Sequence, residues 1–184
     1  MRTVSIITLL VFTFGGFAQN PPWAAPSRYP PSKSHRANVI SILSSGKSRG
    51  EIIYNEELIA EAGYWYSHGD TEALGPLMAA AKHSDGAISE ALGCILGEAL
   101  MKHPRMVLSS ATRFSVQDQK RIGMLAVSAD GSGFPPDEMK QIRFILLRYS
   151  RNQDSKLAAT AKCWIVELNK EEAMLKDYED LDKK

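Results

Sequence analysis

The 184-residue chain is short of several things, and each shortage narrows what it can be. Two cysteines, Cys94 and Cys163, are too few for a small disulfide-stapled fold or a cysteine-rich zinc module. No segment shows sustained apolar–polar alternation, and no Asn-Gly or paired β-branched stretch marks a hairpin, so strands are not expected. An excess of one charge is missing as well, with 22 basic residues against 21 acidic ones. A nucleic-acid binder needs a basic footprint to displace counterions from phosphates, and that class is excluded on this balance.

What is present begins with Met1-Arg2, then an apolar run from Val4 to Phe14 broken only by Ser5, Thr8 and Thr13. Gly16-Phe17-Ala18 places small residues just before Gln19. A positive start, an apolar centre and a small-residue cleavage site predict a secretory signal peptide over residues 1–18, cut after Ala18. The run falls short of the ~18–20 apolar residues of a spanning helix, so no stable membrane insertion is expected after cleavage. The protein is expected to be secreted or periplasmic. Cleavage removes Arg2 and no acid, leaving 21 basic against 21 acidic residues in a chain of 166, enough for one domain with a sizeable core. An oxidising compartment allows a Cys94–Cys163 disulfide, with two separate thiols as the alternative, because both residues lie off the apolar stripes of their helices.

Residues 19–33, QNPPWAAPSRYPPSK, are dense in proline, which fixes φ and removes donors, and read as a flexible linker. From 34 to 177 the apolar residues recur at three- and four-residue spacing, predicting a single all-α domain with helices near 35–45, 51–67, 71–82, 86–103, 105–113, 116–129, 137–151 and 155–177. Residues 178–184 read as a charged tail. Asp70, Asp85, Asp137 and Asp154 each stand before an apolar periodic run, where a short carboxylate can accept from free helical N–H groups. Ser115-Val-Gln-Asp118 has the form of a capping box. Gly93 and Gly97 leave a strip without side chains on one side of their helix, which predicts close approach of a neighbouring helix.

Short helices in series, rich in Ala and Leu and broken at Asp and Gly, are clearest in EALGPLMAAAKHSDGAISEALGCILGEAL, residues 72–100. Over roughly residues 50–168 this pattern resembles HEAT- and armadillo-like helical repeats. The resemblance implies antiparallel helix pairs stacked into a short irregular superhelix used as a binding scaffold, and it implies no catalytic activity. A compact helical bundle is the alternative architecture.

A search for chemistry begins at the histidines. His68, His83 and His103 all fall at helix C-termini, where an imidazole can bond to free carbonyls. An enzymatic alternative, a helical hydrolase or metal-dependent enzyme, would draw on these three with Glu61, Asp70 or Asp85. No HExxH or CxxC pair predisposes the chain to zinc. Asp130-Gly-Ser-Gly-Phe134 fails as a calcium loop, with Phe134, Pro135 and Gln141 at positions that require ligands or glycine. Gly131-Ser132-Gly133 is not a nucleophile elbow. No cofactor, metal or catalytic residue is assigned, and a non-enzymatic role is expected. In helix 137–151, Met139, Ile142, Ile145, Leu146 and Tyr149 form the core stripe, while Lys140, Phe144, Leu147, Arg148 and Arg151 form a basic face with two apolar residues. That face is the candidate surface for a protein partner. Trp23, Tyr29, Tyr54, Tyr64, Trp65 and Tyr66 are a second aromatic group, read mainly as a seal on the N-terminal end of the domain.

Overall fold

The computed structural model describes residues 29–45, 56–84, 86–128 and 134–181. The signal-peptide reading, most of the proline-rich linker with Trp23, and Tyr54, Asp85 and the Asp130–Gly133 stretch lie outside the described residues. So does the end of the charged tail.

Among the described residues the chain is all-α. Eight helices run in order: α1 Lys33–Ser45, α2 Glu56–Ser67, α3 Leu74–Ala81, α4 Gly86–Lys102, α5 Pro104–Ala111, α6 Val116–Ser128, α7 Pro136–Tyr149 and α8 Ser155–Leu181, with a 3-10 turn at Thr71–Ala73 before α3. They pack as a compact bundle in which α4 against α6 and α6 against α8 make the broadest contacts. The four-residue spacing read from the sequence is what the core uses. Ile88, Leu92 and Ala99 of α4, Met139, Ile142 and Leu146 of α7, and Leu157, Ala161, Trp164 and Leu168 of α8 are all buried.

Close approach is visible where glycine faces a neighbour. A Cβ at Gly97 would stand 2.1 Å from Phe134 Cζ and 3.1 Å from the Ala126 carbonyl oxygen, so α4 and α6 meet through the missing side chain. Gly123 of α6 does the same for Trp164, whose ring would lie 2.4 Å from an added Cβ. The indole is pinned there by its own Nε1–H, which donates to the Gln119 carbonyl at 2.9 Å.

The caps divide. Asp154 Oδ1 accepts from the N–H groups of Lys156 at 2.9 Å and Leu157 at 3.2 Å, as its position predicted. Ser115 Oγ accepts from the Asp118 N–H at 3.2 Å, and the Asp118 carboxylate, held ionised by groups of Ser115 in return, also meets Lys82 at 3.2 Å. Asp70 makes no well-formed side-chain cap bond, although the Glu72 and Ala73 N–H groups help to hold its carboxylate ionised. A cation reaches it first: Arg36 of α1 donates Nε–H at 2.6 Å and Nη2–H at 2.8 Å to its two oxygens. The helix read as ending at residue 177 continues through Tyr178 to Leu181.

Candidate functional site

Helix α7 turns one side inward and leaves the other bare. With Met139, Ile142 and Leu146 in the core, a 100° step per residue puts Phe144 on the opposite side. Phe144 is 69% exposed and Leu147 41%. Lys140, Arg148 and Arg151 around them are exposed too, so all five residues of the candidate face reach solvent. The neighbouring Arg143 is different. It leans onto α8, where Nε–H donates to Glu172 at 3.1 Å and Nη2–H to Asn169 at 2.8 Å, and it ties the helix down instead of adding to the face. Asp137 lies 3.7 Å from Lys140, with both side chains largely in solvent, too exposed a pair to neutralise the face by much. The result is an apolar centre ringed by long cations on a rigid helix.

The three candidate histidines do not converge. His68 behaves as a helix end: its Nδ1 lies 2.8 Å from the Tyr64 carbonyl oxygen, its ring stacks on Tyr64 at 3.9 Å, and Tyr29 closes over it at 4.8 Å. His83 is exposed after α3. His103 precedes Pro104 and meets the Tyr66 ring edge-on at 6.4 Å. Glu61 is engaged elsewhere, 2.9 Å from His35 Nε2 on α1. Pairing α1 with α2 in this way depends on tertiary contact across 26 residues, and nothing in the local spacing signals it. Among the described residues, no group of three or more His, Cys, Asp or Glu side chains could hold a metal ion.

Cys94 is exposed and Cys163 partly buried, and no disulfide joins them. Burial and the nearby Glu167 push the Cys163 thiol up from its ordinary range, away from the reactive thiolate. The aromatic group splits as well. Trp65 is fully buried and Tyr66 nearly so, while Tyr29, Tyr64 and His68 stack at the surface end of α2.

No helix among the described residues is long and apolar enough to cross a membrane. No protein-family model matches the chain, and neither does any curated protein or solved structure.

Proposed function

We propose that the protein is an exported helical module that docks a protein partner on the outer face of α7. One observation supports this above others: Phe144 and Leu147 stand in solvent in the middle of an ordered helix, encircled by Lys140, Arg148 and Arg151. Exposed apolar surface beside arginine is the composition of interface hot spots, and the cations favour an acidic partner surface. The near balance of charge over the whole chain keeps this preference local to α7.

The test is affinity capture from the native compartment with wild-type, Phe144→Glu and Arg148→Glu proteins. Because both side chains are exposed, each variant should melt within about 0.5 kcal/mol of wild type. A partner held on this face should be recovered by wild type and lost with both variants. Recovery that is indifferent to both substitutions places docking elsewhere, and a large fall in melting temperature makes residue 144 part of the core.

A further inference from the structure

Helices α2 and α4 touch at Gly63 and Ile95, where an added Cβ on the glycine would meet Ile95 Cδ1 at 2.5 Å. One turn further on they leave a cleft of about 60 Å³ between their C-terminal ends, lined by Gly63, Tyr66, Ser67, Ile95, Glu98, Lys102 and His103. Tyr66 is only 9% exposed, and its hydroxyl is buried without a hydrogen-bond partner. Burial and the neighbouring Glu98 carboxylate push the phenol up to about 12, so it stays protonated and remains a donor with no acceptor. An unmade hydrogen bond of this kind opposes folding, and a bound group that accepts from it recovers the loss.

The rest of the lining says what that group must be. Lys102 Nζ donates to Glu98 Oε1, which pairs the ammonium and the carboxylate of the cleft while both side chains keep more than half of their surface in solvent. The Ser67 hydroxyl already donates to the Tyr64 carbonyl at 2.8 Å. Besides the His103 ring, what stays open is the Tyr66 donor, the spare protons of the ammonium, and the second oxygen of Glu98 as an acceptor. A carboxylate would meet Glu98 as a like charge, and an ammonium would leave the Tyr66 proton unused. A neutral group with a carbonyl oxygen and an N–H meets all three. A water occupies about 10–15 Å³ on this measure, so the cleft has room for on the order of four non-hydrogen atoms.

We infer that the α2–α4 cleft is a binding site for a primary carboxamide, its carbonyl accepting from Tyr66 and Lys102 and its amide N–H donating to Glu98. The methylene or methyl beside the amide would rest on Gly63 and Ile95. This site involves none of the α7 residues and stands or falls apart from the docking proposal.

The experiment is a titration of the ¹⁵N-labelled protein with acetamide, acetate, methylammonium and N,N-dimethylacetamide, read at the amides of Gly63, Ser67, Glu98 and His103. Acetamide should give saturable shifts at an apparent Kd at least about tenfold below the other three, the factor expected when one hydrogen bond goes unmade. Tyr66→Phe should fold, since it keeps the ring, and should weaken acetamide binding about tenfold. Glu98→Met, which keeps the length of the side chain and removes the acceptor, should erase the preference for acetamide over its dimethyl analogue. A blocked glutamine that binds tighter than acetamide assigns the group to a protein side chain, and the reverse order assigns it to a free small amide. Linear shifts without saturation, equal binding of acetate, or full binding by Tyr66→Phe would each overturn the site and leave a cleft that holds water alone.

Discussion

Glycine substitutions separate two effects that act at single positions. Gly75 in α3 has nothing within 4 Å of an added Cβ, so Gly75→Ala should raise stability by about 0.4–1 kcal/mol through the unfolded chain alone. Gly123→Ala carries the same gain, but its methyl enters the indole of Trp164, which is buried and hydrogen-bonded and cannot retreat cheaply. Overpacking costs about 1–3 kcal/mol, so the sign should reverse. Chemical denaturation of the two variants beside wild type checks this, and two changes of the same sign would remove Trp164 as the obstacle. Two carboxyls make a matching pair for acid. Arg36 holds the Asp70 carboxyl below the usual range, so its contribution is full above about pH 4 and is lost as pH falls through the depressed value. Burial pushes Glu171 the other way: Oε1 has no partner, and folding is favoured while the group is protonated and less so as pH rises through the glutamate range. Asp70→Asn should flatten the acid limb of a stability–pH curve, whereas Glu171→Gln should raise stability near neutral pH. Unchanged curves for both would show that neither side chain is linked to folding.

Helices differ in how they are held, and α1 adds ion pairs to a narrow apolar stripe in which Ile40 and Ile42 lie partly buried beside the core residues. Only Val39 and Leu43 are buried on it, while His35 reaches Glu61 and Arg36 reaches Asp70 and Glu72. Arg36→Ala should lower the local opening energy of α1 by about 1 kcal/mol after screening, or roughly fivefold faster amide exchange in Val39–Ser45. Exchange in α4 and α8 should not move; a uniform increase would mean that α1 opens only with the whole bundle. This helix also shows where sequence reading stops. Its extent, like that of α4 and α7, follows from three- and four-residue spacing, and the outer face of α7 follows from the same wheel. Which helices become neighbours does not follow. Asp70 had the right residue and position for a cap, yet a guanidinium 34 residues earlier takes its carboxylate. Gly93 and Gly97 announced a close approach but not Phe134 as the ring that fills it. The Tyr66 cleft gave no signal, because it exists only where α2 and α4 diverge beyond Gly63 and Ile95.

At the scale of the whole molecule, the broadest contacts skip a helix: α4 meets α6 and α6 meets α8, with the short α5 and the longer α7 laid alongside. The notch at Gly123 therefore stays empty until Trp164, 45 residues beyond the Gln119 carbonyl it must find, arrives from the far end of the domain. Kinetically, this makes the bundle slower to assemble than a hairpin series of equal helix content, since distant segments must be joined before either is rewarded. Refolding followed by indole emission should lag behind recovery of far-ultraviolet ellipticity, with Trp164→Phe removing most of the delayed signal. Simultaneous recovery would mean that helices form only as that distant wedge seats.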